Sequence, residues 1–256
     1  MELYADLLIR DLVFINYTVD PAILRPFVPA ELQLNTIVDE RGRAVAFVSV
    51  VAFHVSDVRS GILPLPPLSF NQINYRAYVN DGEGPAVYFF EMRVNARVIS
   101  AMTSFWKMPV NYEEINIATA PVSENINSNE IKSNDINLSP HALRYKVISS
   151  GPQALEASLT IGGHHEVAGP RGVAVPPGFI TERPVGYVTA AGDSLYKISV
   201  EHAPLNASAA HVESVSAPLL ASLGIMNLDE TARPHSALYA REALFKSRLP
   251  RPVAQE

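Results

Sequence analysis

Apolar and polar residues alternate with a period of two along much of the chain, which is the pattern of β-strands. The longest alternating run, AVAFVSVVAFHVSDV at 44–58, is largely apolar on both faces. Because such a strand needs cover on both sides, this run predicts a central strand or one that lines a barrel. Further strands are predicted at 12–19, 31–38, 70–79, 86–94, 115–118, 143–149, 154–161, 179–188, 194–200, 211–215 and 237–246.

The strands at 70–79 and 86–94 are predicted to form a hairpin. The segment between them, NDGEGP, has turn chemistry, because glycine supplies positive φ and proline cannot donate to a strand ladder. Alternation in 70–79 sets Asn74 and Arg76 on one face and Tyr75 on the other. The polar face of this strand is therefore a candidate for either a cavity wall or the solvent.

Three short segments have helical signals. Asp20 is a predicted N-cap for a helix at 21–27, with Pro21 at the first helical position. Apolar residues recur at intervals of three and four in 96–105, which predicts a helix ending just before Lys107. A third helix is expected at 216–223. We therefore predict one domain over 1–256, mainly β, as an antiparallel sheet curled into a barrel with a few short helices.

Composition excludes several classes of protein. The 256 residues are 48% hydrophobic and 18% charged, as in a globular domain, and the net charge of −6 with scattered basic residues argues against nucleic-acid binding. The chain has no cysteine, so disulfides and cysteine–zinc sites are excluded. No membrane-spanning run or signal peptide is recognised, so a cytoplasmic location is expected. Glycine-rich nucleotide loops and the GxSxG elbow are absent, and no cofactor is expected.

Two groups of polar residues are candidate sites. Gln72, Asn74 and Arg76 share one strand face. If that face lines a cavity, they orient a carboxylate or carbonyl ligand, with Arg76 making a bidentate contact; if it faces solvent, they are ordinary surface residues. The run 164–166, His-His-Glu, contains zinc-ligand types, but neighbouring strand residues point to opposite faces and HExxH spacing is missing. A loop without metal is expected there.

Several segments together resemble one known superfamily. FINYTVDPAILRPFVPAELQL at 14–34 resembles the opening strand–helix–strand of acetoacetate decarboxylase-like proteins, and FNQINYRAYV, AVYFFEMRVNAR and SFWKMPVNY resemble their middle part. FITERPVGYVTAAGDSLYKISVEHAPL at 179–205 resembles the uncharacterised YqjF-like branch. The resemblance covers about residues 12–205. It implies a curled antiparallel barrel with an internal cavity.

The resemblance also implies a chemistry. The decarboxylase of the superfamily forms a Schiff base between a lysine and a β-keto acid, and Lys107, preceded by Trp106, falls at or beside that position. A nucleophilic amine requires a lowered pKa, which desolvation or a neighbouring cation supplies. Three charged positions of the family differ here: its second lysine, its glutamate and its arginine are matched by Met108, Gln72 and Thr18. These losses favour binding without covalent chemistry, whereas the remaining lysine, Lys107 in an apolar segment, favours the enzyme.

Glu182 and Arg183 also match recurring positions of the YqjF-like branch. The resemblance suggests Glu182 as a general acid or base and Arg183 as an anion clamp, whereas a structural ion pair at the barrel rim is the alternative. Two functions therefore stay open: a lyase-like Schiff-base enzyme acting through Lys107, and a non-catalytic binding or sensing protein. The partner in either case is a small keto acid or other carboxylate. Exposed sheet edges also allow a homo-oligomer.

Overall fold

A computed structural model of the protein describes residues 4–60, 68–105, 108–122, 138–163, 173, 175–176 and 178–253. The strands are β1 (Tyr4–Val19), β2 (Gln33–Leu34), β3 (Thr36–Val38), β4 (Ala44–Ser60), β5 (Phe70–Asn80), β6 (Pro85–Val94), β7 (Val110–Tyr112), β8 (Ile115–Pro121), β9 (Leu138–Ser149), β10 (Glu156–Gly163), β11 (Val185–Thr189), β12 (Leu195–Glu201), β13 (Ala207–Ser216), β14 (Ser236–Arg248) and β15 (Arg251–Pro252). The helices are α1 (Pro21–Leu24), α2 (Arg97–Phe105), α3 (Pro218–Ser222) and α4 (Leu228–Thr231), with a 3₁₀ helix at Arg25–Phe27.

Seven of the strands close into a barrel in the order β12-β11-β6-β5-β4-β1-β14. Closure depends on a short antiparallel pairing between β12 and β14, in which Val200 lies opposite Ser247 and Glu201 opposite Lys246. Neighbouring barrel strands are antiparallel except β6 and β11, which run parallel. The mainly β, curled-sheet prediction is confirmed.

The remaining half of the sheet covers the outside of the barrel. From β14 the sheet continues through β13, β10 and β9 to β8. Tyr145 of β9 and Leu159 of β10 belong to the same buried apolar cluster as Val48 and Val50 of β4. Phe47 and other β4 residues of opposite parity belong to a second cluster inside the barrel. The two apolar faces of β4 therefore serve two cores, as its sequence predicted.

Some predicted boundaries need correction. The strand expected at 179–188 begins only at Val185, because residues 178–181 form a turn in which Gly178 has φ of 77°. The strand expected at 31–38 is divided into β2 and β3. The N-cap prediction is confirmed, since the Asp20 carboxylate accepts a hydrogen bond from the Ala22 backbone at 2.8 Å.

Other predictions fall outside the described part of the chain. The metal candidates at 164–166, where a loop is expected, lie there. Across the described ranges, none of the helices has the length and apolar character needed to cross a membrane.

Candidate functional site

The barrel encloses a cavity of about 270 Å³. All seven barrel strands contribute to its wall, and most of the lining side chains are aliphatic or aromatic. Side chains with polar groups are concentrated on β5, on the turn before β11 and on the β12–β14 seam. They are Gln72, Asn74, Arg76, Thr181, Arg183, His202 and Ser247.

Strand β5 supplies three of these polar side chains. Gln72, Asn74 and Arg76 are separated by two residues, so they project to the same face, and that face lines the cavity. The side-chain amide of Gln72 donates a hydrogen bond to Asn74 Oδ1 at 2.7 Å. The structure thus brings together the three residues that sequence grouped on one face. Their role in ligand binding stays a prediction.

Arg76 is hydrogen-bonded to the turn at 178–181, which we call the cap of the cavity, and to Tyr78 of its own strand. Its Nη2 atom donates to the Ile180 carbonyl at 2.9 Å and to the Tyr78 hydroxyl at 3.2 Å. The guanidinium carbon lies 5.1 Å from the ring centroid of Phe14. Its Nε atom is buried and has no hydrogen-bond partner in the described structure. Arg76 is therefore fixed in place while part of its donor capacity is unused.

Arg183 is the more deeply buried cation, with 7% of its surface exposed. Its Nε donates to the Phe179 carbonyl at 2.7 Å, and its guanidinium carbon lies 4.5 Å from the Phe179 ring centroid and 5.2 Å from that of Tyr78. Burial, together with repulsion from Arg76, lowers the pKa of Arg183 to about 10, although Tyr78 acts in the opposite direction. The side chain is therefore still charged at neutral pH.

One turn positions both arginines. Arg76 and Arg183 donate to the adjacent carbonyl groups of Ile180 and Phe179. The turn is closed by a hydrogen bond of 2.8 Å from the Glu182 N–H to the Gly178 carbonyl. This turn lies within the FITERP segment that resembles the YqjF-like branch. The segment predicted as a strand is thus a cap that sets two cations in the cavity wall.

A buried chain of hydrogen bonds fixes the position of Tyr78, which in turn accepts a hydrogen bond from Arg76. The hydroxyl of Ser49 donates to Asn16 Oδ1 at 2.6 Å and lies 2.7 Å from the Tyr78 hydroxyl. Because the single Ser49 proton goes to Asn16, Tyr78 donates to Ser49 and accepts from Arg76. Asn16, Ser49 and Tyr78 have no exposed surface. Satisfied buried networks of this kind hold their members in one geometry.

No acid among the described residues forms an ion pair with either of the two cavity arginines. Arg93 on β6, with 4% of its surface exposed, forms ion pairs with Glu91 at 2.6 Å and Glu113 at 2.7 Å. By contrast, no described carboxylate pairs with Arg76 or Arg183, and none is found among the described residues of the cavity wall. Buried charges in proteins are normally paired. The described wall of the cavity therefore carries two positive charges without a paired carboxylate.

The other predicted residues have different outcomes. Glu182 is exposed, its carboxylate lies beside Gly178, and it is not part of the described cavity wall. No ion pair joins it to Arg183 in the described structure. Lys107 and Trp106 lie outside the described residues, so their relation to the cavity stays a prediction. Within the described ranges no cluster of three or more potential metal ligands occurs.

His202 is a cavity residue to which the sequence assigned no role, although its position recurs in the YqjF-like branch that the chain resembles. It follows β12, where Ile198 and Val200 also line the cavity at intervals of two. Its Nδ1 lies 2.7 Å from the Ala203 carbonyl oxygen, and its ring centroid is 4.5 Å from that of Phe245. Alternate residues of β12 line the cavity from Ile198 onward, and His202 lies two residues after Val200, so this spacing is the sequence signal for His202.

Solved structures of acetoacetate decarboxylase-like proteins have the same fold as this barrel. The enduracididine biosynthesis enzyme MppR, solved with pyruvate, aligns with a TM-score of 0.61 at 14% identity over 99% of this chain and 91% of that chain. An acetoacetate decarboxylase-like enzyme from Sphingomonas wittichii RW1 aligns with a TM-score of 0.58 at 14% identity, over 100% and 94%. At these identities the comparisons show a shared acetoacetate decarboxylase-like fold.

The chain belongs to the DUF2071 family, described as an uncharacterized conserved protein, whose model matches residues 8–243. It is 32% identical over 110 residues to the uncharacterized protein YqjF of Bacillus subtilis strain 168. That match covers 41% of this chain and 43% of YqjF, which is less than half of either protein. The resemblance to the YqjF-like branch is confirmed.

Proposed function

We propose that the barrel cavity binds a small carbonyl compound with a carboxylate group, such as a keto acid, and that Arg76 and Arg183 hold the carboxylate. The observation that carries this proposal is the pair of guanidinium groups facing one cavity with no described acid to balance them. An anionic ligand relieves the repulsion between the two cations. It also takes up the donors that the protein leaves unused.

The rest of the wall fits such a ligand. Guanidinium groups bind carboxylates through paired hydrogen bonds, which gives orientation as well as affinity. Asn74 and Gln72 supply neutral polar groups on the same strand face, where they can orient a carbonyl oxygen. The volume of about 270 Å³ lies near the lower end for ligand sites and favours a small molecule. MppR, which shares this fold, forms a complex with pyruvate, and that complex supports this class of ligand.

The enzymatic form of the proposal uses Lys107. Its amine would attack the ligand carbonyl and lose water to form an imine, with Trp106 beside the bound molecule. A nucleophilic amine of this kind needs a lowered pKa, which desolvation or a nearby positive charge supplies. Glu182 has no part in this proposal, since it is exposed. The alternative is a binding or sensing protein that uses the same arginines without covalent chemistry.

Calorimetric titration with pyruvate and acetoacetate tests the carboxylate site. Arg183→Gln should weaken binding about 10- to 100-fold, because a hydrogen bond to a charged group contributes roughly 1.5–3 kcal/mol. Arg241→Gln, which changes an exposed arginine of β14, is the matched control and should bind as the wild type does. Equal affinity of the wild type and Arg183→Gln would contradict the carboxylate site.

Borohydride trapping on the same ligands separates the two forms of the proposal. A ligand-dependent mass increase that maps to Lys107 and is lost in Lys107→Ala would establish the imine. Binding without any adduct would instead favour a protein that binds the ligand without covalent chemistry.

A further inference from the structure

We propose that His202 is the proton-transfer residue of the cavity, and that the protein enolises a bound keto acid by moving a proton between the carbon beside the carbonyl and His202 Nε2. This inference rests on the proposed function, because it requires a keto acid in the cavity. It does not require Lys107.

A backbone hydrogen bond joins the segment that carries His202 to the segment that carries Arg183. The Val200 N–H donates to the Pro184 carbonyl at 2.8 Å. Arg183 is one residue before that contact on one segment, and His202 is two residues after it on the other. Both side chains line the cavity. A small molecule whose carboxylate lies at Arg183 thus has its remaining atoms in a cavity that His202 also borders.

A backbone carbonyl determines which His202 nitrogen is available. The Ala203 oxygen, 2.7 Å from Nδ1, can only accept a hydrogen bond, so Nδ1 carries the proton of the neutral ring. Nε2 then has the free lone pair that a general base needs. The Phe245 ring, 4.5 Å away between centroids, packs against the imidazole and restricts its rotation. The ring is thus held in a single tautomer beside the cavity.

The other polar groups of the described wall do not replace His202 as a base. The guanidinium groups of Arg76 and Arg183 are hydrogen-bond donors without an acceptor, and the amides of Gln72 and Asn74 are not bases. Thr181 and Ser247 carry only hydroxyl groups. An imidazole, by contrast, both accepts and returns a proton near neutral pH.

The described charged groups near His202 do not include another base for this proton transfer. On β12 the neighbouring Glu201 carboxylate is 2.8 Å from a guanidinium nitrogen of Arg248, so it is already paired. Lys246 lies opposite Glu201 on β14, and Arg76 and Arg183 are the charged groups of the described cavity wall. No acid in this set is free to act as a competing base.

The proposed step is balanced without an added reagent. The C–H bond beside the carbonyl breaks and its proton moves to Nε2. The bonding electrons form a carbon–carbon double bond, and the carbonyl electrons move to oxygen to give an enolate. Guanidinium groups aimed at the ligand stabilise this negative charge. In D₂O the proton on Nε2 exchanges with solvent, and return of a deuteron from Nε2 regenerates the keto acid with deuterium in place of hydrogen.

Loss of the pyruvate methyl signal in D₂O, followed by proton NMR, measures this activity. The wild type should accelerate exchange of the methyl protons. His202→Gln should lower the rate at least about 100-fold, the usual contribution of a general base. His211→Gln, a histidine of β13 outside the described cavity wall, is the matched control and should exchange pyruvate at the wild-type rate.

A second variant guards against loss of folding. His202→Phe keeps an aromatic ring against Phe245 but has no nitrogen, so it should fold, bind pyruvate in calorimetry and fail to exchange it. Exchange at the wild-type rate in either His202 variant would overturn the inference. Wild-type protein that binds pyruvate without exchanging it would overturn the inference alone, whereas failure to bind any keto acid would overturn the proposed function as well.

Discussion

Gly186 forms part of the cavity wall and leaves room for one aromatic side chain. A Cβ atom placed on Gly186 would lie 2.5 Å from Cε2 of Phe89, which also lines the cavity. Real Cβ contacts are longer than this, so the Phe89 ring would have to move. The position of the Phe89 ring, and with it the shape of the cavity here, depends on the absence of a side chain at residue 186.

Gly186→Ala should therefore weaken keto-acid binding. The added methyl displaces Phe89, and overpacking of this kind costs roughly 1–3 kcal/mol. Calorimetry with pyruvate should show a loss of affinity, and Phe89→Leu in the same chain should restore part of it. Gly84→Ala is the control, because nothing lies within 4 Å of its added Cβ. Unchanged affinity in Gly186→Ala would show that the ligand site lies elsewhere.

Sequence predicted the cavity residues of β5 only as a group. Alternation established that Asn74 and Arg76 share a face, but a period of two does not say which face is inside. That choice depends on closure of the barrel, which involves distant strands. Arg183 was selected by the resemblance to the YqjF-like branch. Its burial depends on the turn at 178–181, which the sequence pattern predicted as part of a strand.

The hairpin of β5 and β6 is joined to the next part of the barrel by its turn. Asp81 accepts hydrogen bonds from the Glu83 and Gly84 backbone at 2.9 Å each and from the Tyr187 hydroxyl of β11 at 2.7 Å. Lys197 of β12 lies 3.4 Å from the same carboxylate. One carboxylate therefore links four barrel strands.

Asp81 should make the stability of the protein sensitive to acid. Burial alone raises the pKa of Asp81, but hydrogen bonds from Tyr187 and the turn backbone, with the charge of Lys197, lower it below its usual value. A lowered pKa in the folded state means that the stabilisation is present above the unfolded-state value of about 3.9 and is lost as the pH falls through the folded-state value.

The measurement is urea unfolding of the wild type and Asp81→Asn across this pH range. Asp81→Asn should be less stable at neutral pH and should lose less stability on acidification than the wild type. Asp193→Asn, at an exposed turn position with φ of 59° that asparagine tolerates, should follow the wild-type curve. Parallel curves for the wild type and Asp81→Asn would contradict the assignment.

Elements with strong local signals were predicted well, and those defined by distant contacts were not. The turn NDGEGP correctly predicted the β5–β6 hairpin. The segment at 179–184 was predicted as part of a strand because Phe179 and Ile180 precede the apolar run at 185–188. Gly178 and Pro184 instead interrupt regular pairing, and carbonyl groups of the segment accept hydrogen bonds from arginine side chains.

At the scale of the whole molecule, the same strands serve two cores. One face of β4 packs inside the barrel with Phe47, and the other packs with Val48 beneath the outer layer that contains Tyr145. The two-sided apolar pattern predicted this arrangement. The seam between β12 and β14 joins residues far apart in the chain, and no local pattern indicates it.

A crystal structure of the protein soaked with pyruvate is the most direct test of the carboxylate site. We predict pyruvate inside the barrel, with its carboxylate oxygens about 2.7–2.9 Å from guanidinium nitrogens of Arg76 and Arg183. Pyruvate bound away from both arginines, or a cavity without pyruvate at a saturating concentration, would contradict the carboxylate site.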